Sequence, residues 1–117
     1  MKILITGGTG FLGSHVADAL SVAGHEVSIL DLKPSPYLRS EQRMILGDIL
    51  EPTTLEKIVP SFEVIYHYAG ISDIDECTLR PVDTVKCNIL GTVNLLEASR
   101  KAGIKRFIFA SSAYVYS

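Results

Sequence analysis

Met1-Lys2-Ile3-Leu4-Ile5-Thr6-Gly7-Gly8-Thr9-Gly10-Phe11-Leu12-Gly13 decides the fold of this chain. Residues 2–6 read as a short buried strand, and a helix opens across Ser14-His15-Val16-Ala17-Asp18-Ala19-Leu20. Between them, Gly8, Gly10 and Gly13 fit G-x-G-x-x-G, and Gly7, Gly10 and Gly13 fit G-x-x-G-x-x-G. Glycine serves three needs in such a loop: a tight turn, backbone approach to a pyrophosphate, and close packing of helix on strand. The N–H groups and positive end of the helix then hold the phosphates.

The surroundings support that reading. Glu26-Val27-Ser28-Ile29-Leu30 reads as a second strand, and Asp31 at its end lies eighteen residues beyond Gly13. A carboxylate in that place accepts hydrogen bonds from an adenosine ribose. The competing reading is a surface βαβ unit whose glycines only make a turn; strand, glycines, helix, strand and acid in order speak against it. A G-x-x-x-x-G-K-[ST] phosphate loop is excluded, because Ser14-His15 follows Gly13 where a lysine would stand. The motif predicts a dinucleotide site.

Residues 2–6, 26–31, 43–47, 62–68 and 105–111 read as strands, and 12–23, 52–59 and 81–102 as helices. Alternation of this kind predicts an α/β fold: a Rossmann-type, doubly wound parallel sheet of order 3-2-1-4-5. Gly24 and Gly103 suit helix C-termini, and Pro52 and Pro81 suit helix starts. Lys33-Pro34-Ser35-Pro36-Tyr37 reads as a loop over the adenosine edge. The 117 residues suffice for one domain, an NAD(P)-binding unit expected to be incomplete, truncated after its fifth strand with no substrate domain following.

Composition narrows the function. A net charge of −2 gives no pull toward nucleic acid, and no apolar run reaches the length of a membrane span. Cys77 and Cys87 have no second pair, so neither zinc nor a disulfide framework is expected, and a reduced cytoplasmic setting fits. At Asp48, in Gly47-Asp48-Ile49, two readings stand: contact with adenine, or a cap before the Pro52 helix.

The glycine motif, Gly47-Asp48-Ile49, His67-Tyr68-Ala69-Gly70, the run Asn88–Ala98 and Ser111-Ser112-Ala113-Tyr114-Val115-Tyr116 together resemble the NAD-dependent epimerase/dehydratase family, the extended short-chain dehydrogenases. The resemblance implies NAD as cofactor and, for a full-length parent, a nucleotide-sugar substrate oxidised transiently by hydride transfer. It implies that Gly7, Gly10, Phe11, Leu12 and Gly13 surround the pyrophosphate, and that Asp31, beside Leu32, holds the ribose. Asp48 and Ile49 would bracket the adenine. Tyr68, Ala69 and Gly70 would floor the nicotinamide half, with Asn88 and Ser111 alongside. Ser112 would be catalytic, bonding the reacting hydroxyl; otherwise Ser111 and Ser112 are strand-end residues that bond nearby backbone. The resemblance also implies a homodimer through the 81–102 helix, whose Val82, Val85, Ile89, Val93 and Leu96 form an apolar stripe.

Three departures stand out. Ser72 replaces a lysine frequent in relatives, and Cys87, expected as a small buried thiol, replaces an asparagine of some epimerases. The 117 residues contain no Tyr-x-x-x-Lys, the pair expected to supply the base for the hydroxyl proton. His67 is expected to be structural, and His15 and His25 to be surface or packing residues. Two other functions share these motifs: a dinucleotide-sensing module without turnover, and an NAD(P)-dependent reductase of non-sugar alcohols.

Overall fold

A computed structural model describes residues 1–111. Its strands are β1 (Lys2–Thr6), β2 (Glu26–Asp31), β3 (Arg43–Leu46), β4 (Val64–His67) and β5 (Arg106–Phe109). All pair in parallel, in the order β3-β2-β1-β4-β5. β1 is central because its apolar residues are covered on both faces, where a parallel sheet buries its strands. Ile3, Leu4, Ile5 and Thr6 are all buried.

The helices divide between the two faces. Ile3, Ile5, Val27, Ile29 and Val64 pack with Ala17 of α1 (Phe11–Val22). Leu4, Leu30 and Ile65 pack on the other face against Leu55 of α2 (Pro52–Ile58) and Leu95 and Ala98 further along the chain. A 3₁₀ turn, Val59–Ser61, extends α2. The connection from β4 to β5 begins with α3 (Ile74–Leu79) and α4 (Pro81–Val85). It continues through a π-helical turn, Lys86–Leu90, into α5 (Gly91–Ala102). Pro52 and Pro81 open their helices, and Gly103 closes α5 in the left-handed conformation.

The structure departs from expectation in two places. The single helix expected over 81–102 is instead α4, a π turn and α5. At that turn Asn88 is tied to the loop after β4 and Thr92 to the sheet, so tertiary bonds override regular winding. The sequence assigns no helix to the residues before Pro81, yet α3 forms there. Its Asp73 side chain accepts from the Glu76 N–H at 2.9 Å, a standard N-terminal cap. The other boundaries shift by one or two residues.

Candidate dinucleotide site at the carboxyl ends of the strands

The carboxyl ends of β1, β2, β3, β4 and β5 open onto one cleft of about 1040 Å³. Ligands bind in this position on doubly wound sheets, where the chain order reverses beside the central strand. Every residue expected at the cofactor lines it: Gly7, Gly10, Phe11, Leu12 and Gly13 from the first loop, Asp31 and Leu32, Asp48 and Ile49, Tyr68, Ala69 and Gly70, Asn88 and Ser111. Ser112 lies outside the described residues.

The first loop is forced into shape by contacts that only glycine allows. Gly7 has φ +70°, and a Cβ there would lie 2.6 Å from the Ala69 nitrogen and the Tyr68 carbonyl carbon. At Gly13 a Cβ would strike the Gly7 carbonyl oxygen and lie 2.8 Å from the Gly8 Cα. The loop folds back on itself, Gly10 N–H donating to the Gly7 carbonyl at 3.2 Å, and α1 starts with Ser14 N–H donating to the Gly10 carbonyl at 2.9 Å. Phe11, Leu12 and Gly13 precede that first bond, so their N–H groups have no intrahelical acceptor. They face the cleft, a cradle for an anionic group. The Phe11 side chain, 85% exposed, turns outward against the His15 ring, leaving its backbone to the cleft.

Asp31 is held before any ligand arrives. Oδ2 accepts from the Thr9 N–H at 3.2 Å and from the Thr9 hydroxyl, and Oδ1 accepts from the Leu32 N–H at 2.8 Å. A carboxylate offers about four lone-pair sites. The one left, on Oδ1, matches a neutral hydroxyl donor and rejects a phosphate. Thr9 is a residue that motif reading passes over.

At Asp48 the geometry favours a structural role for one oxygen: Oδ1 accepts from the Leu50 N–H at 2.9 Å and shapes the turn into α2. The helix cap itself is Glu51, so Asp48 is not the cap. The Ile49 side chain is buried against Gly91, and the Asn94 amide donates to its carbonyl at 3.1 Å. Asn88 spends its amide on Ile71, accepting from the N–H and donating to the carbonyl, each at 2.8 Å. It reaches the cofactor region as a clamp on the loop after β4. Cys87 is only half-buried, contrary to expectation, and burial with nearby Asp48 and Asp83 pushes its thiol pKa up.

His67 is 1% exposed at the cleft floor, between Phe107 and Phe109. Nδ1 lies 2.6 Å from the Thr6 hydroxyl and Nε2 2.8 Å from the Thr92 hydroxyl. Burial lowers its pKa from 6.5 to about 4. A depressed histidine pKa means that the unfolded chain binds the proton more readily, so this stability is present above pH 6.5 and lost as pH falls toward 4. Between pH 7.5 and pH 4, about 3 kcal/mol of unfolding free energy should disappear through this one group. Urea titrations of the native chain and His67→Gln across that range check it; equal pH slopes would refute it. His15 is exposed, and His25 sits beside the N-terminus.

The model of the NAD dependent epimerase/dehydratase family matches residues 3–117. The chain belongs to this family. It is 38% identical over 128 residues to a UDP-glucose 4-epimerase of Klebsiella pneumoniae, covering 99% of this chain and 92% of that one. With a UDP-glucose 4-epimerase of Haemophilus influenzae the identity is 36%, over 99% of this chain but 38% of the relative. Among solved structures, the UDP-glucose 4-epimerase of Stenotrophomonas maltophila, with bound NAD and formylated UDP-arabinopyranose, superposes with a TM-score of 0.93 at 27% identity. That match takes in all of this chain and 38% of that structure. The Thermotoga maritima UDP-glucose 4-epimerase, solved with UDP-glucose, gives 0.90 at 34% identity, over 96% of this chain and 38% of that structure. The Rossmann-type sheet of this epimerase/dehydratase member is thus shared with NAD-bound relatives, and the family is NAD-dependent.

Proposed function

We propose that this chain is the NAD-binding portion of a nucleotide-sugar epimerase of the UDP-glucose 4-epimerase type, forming one domain over residues 1–117. The observation that carries the reading is the cradle at the start of α1, where three free N–H groups face a cleft that also holds Asp31 and Asp48. Phe11, Leu12 and Gly13 hold the pyrophosphate, Asp31 the adenosine ribose, and Asp48 and Ile49 the adenine edge. Tyr68, Ala69 and Gly70 support the nicotinamide half, with Asn88 and Ser111 beside it. Ser112 bonds the reacting hydroxyl of the sugar. NAD, when bound, supplies a reversible acceptor for hydride from a sugar carbon. The chain's residues bind and orient it. No helix of the described residues is long and apolar enough to cross a membrane, and the two half-buried free cysteines suit the reducing cytoplasm.

Titrating NAD and NADP against the protein tests the assignment of Asp31. A carboxylate and a 2′-phosphate about 4 Å apart repel by about 1–4 kcal/mol, so NADP should bind at least about fivefold more weakly. Equal or tighter NADP binding would remove Asp31 from the ribose site.

The apolar stripe supports a homodimer. Val82, Val85, Ile89, Val93 and Leu96 are all exposed, Val82 by 66% and Ile89 by 60%. A contiguous apolar face of this kind on a soluble chain marks a contact surface. The expected result is a concentration-dependent rise in mass by light scattering that Val85→Glu with Ile89→Glu abolishes. A monomer at high concentration would refute the interface.

A further inference from the structure

We infer that His67 is a positioning residue, fixed as the neutral Nε2–H form in a one-way chain of hydrogen bonds that couples the loop after β4 to the π turn before α5. The direction follows from counting donors. The Thr6 hydroxyl oxygen accepts from the Ala69 N–H at 3.2 Å and, also at 3.2 Å, from the Tyr68 N–H, which it shares with the Thr6 carbonyl at 3.0 Å. A hydroxyl has two acceptor sites and one proton, so that proton goes to His67 Nδ1. At the far end the Thr92 hydroxyl donates to the Asn88 carbonyl at 2.7 Å. Its oxygen must therefore accept, and His67 Nε2 must donate. Both ends assign the same form independently. In the other neutral form, Nδ1–H would meet a filled oxygen and Nε2 would face a lone pair; in the doubly protonated form, Nδ1–H meets the same filled oxygen.

The chain closes a loop of restraints. Thr6 and His67 are register partners across β1 and β4, so the relay starts at the edge of the cleft. It ends at Asn88, whose side chain grips both polar groups of Ile71. Tyr68 and Ala69 are thus held from one end and Ile71 from the other, with the His67 ring joining the two anchors. Buried networks of this kind rigidify what they hold when every member is satisfied. No buried side-chain polar atom among the described residues lacks a partner. The loop so held is the part of the cleft assigned above to the nicotinamide half, and the functional side of the inference rests on that reading.

The test uses nitrogen-15 NMR of the ligand-free protein, with Thr92→Val and Thr92→Ser beside it, which leave the His67 ring in place. The ring spectrum should show Nε2 protonated and Nδ1 bare. In Thr92→Val the Ala69 amide, on the far side of the ring, should exchange with solvent faster, and Thr92→Ser should restore it. A merely local role for Thr92 would leave that amide unchanged. Losing one net hydrogen bond corresponds to about a threefold to tenfold change, so Thr92→Val should bind NAD weaker by that factor, with ADP affinity unchanged and Thr92→Ser restored. An Nδ1-protonated ring, or unaltered Ala69 exchange in Thr92→Val, overturns the relay. Equal losses for NAD and ADP overturn its assignment to the nicotinamide half. If the native protein binds neither ligand, the cofactor reading fails, while tautomer and exchange still decide the relay.

Discussion

Replacing Gly13 with alanine is expected to abolish NAD binding and to destabilise the fold. The added methyl group would run into the Gly7 carbonyl oxygen and the Gly8 Cα, which are backbone atoms with no rotamer to escape through. Relief requires α1 to move away from β1. That displaces the N–H groups of Phe11 and Leu12 and strains the core contact of Ala17 with Ile3 and Ile5. Overpacking of this kind costs about 1–3 kcal/mol, with more expected where backbone must shift. Gly10→Ala supplies the control for stability alone: a Cβ there meets no atom closer than 3.5 Å, but the residue lines the cleft. Calorimetric titration with NAD and urea unfolding of both variants read the two effects. Wild-type affinity in Gly13→Ala would show that the tight loop does not make the site.

A polypeptide of these 117 residues is expected to show no epimerase or dehydrogenase turnover, even if it binds NAD. Removing hydride from an alcohol carbon requires a base for the hydroxyl proton, and such a group supplies about 10²–10⁴-fold. The two aromatic candidates at the cleft floor are poor substitutes. The His67 ring is buried, with both nitrogens engaged. Tyr68 has its pKa raised, by burial and then by Tyr66, which makes it a poorer base at neutral pH. Positioning of the sugar accelerates the reaction further still, and the chain spans only 38% of relatives such as the Haemophilus influenzae enzyme. The assay follows NADH formation and epimer ratio with UDP-glucose or UDP-galactose, beside one of those longer relatives. Comparable rates would contradict this expectation and make His67 the residue to mutate first.

The parts of the fold legible from sequence were those with a local signature. Strand periodicity, the glycine loop, Asp31, and the prolines and glycines at helix ends placed the sheet and its order, because each is set by near neighbours in the chain. The tertiary bonds were not legible. Thr9 looks like loop filler until β2 brings Asp31 against it, and the grip of Asn88 on Ile71 exists only once the π turn meets the loop after β4. The His67 chain joins residues 61 and 25 positions apart in sequence, which no spacing rule captures. Helix α3 did have a signal: Asp73 followed three residues later by Glu76 is the sequence of an N-terminal cap.

The most direct test of the central claim is an amide NMR titration of the chain with NAD. Saturable shifts are predicted at Gly7 to Gly13, at Asp31 and Leu32, at Asp48 and Ile49 and at Tyr68 to Gly70, the residues gathered at the carboxyl ends of the strands. Absence of saturation, or shifts gathered at the opposite end of the sheet around Lys2, Glu26 and Arg43, would contradict it.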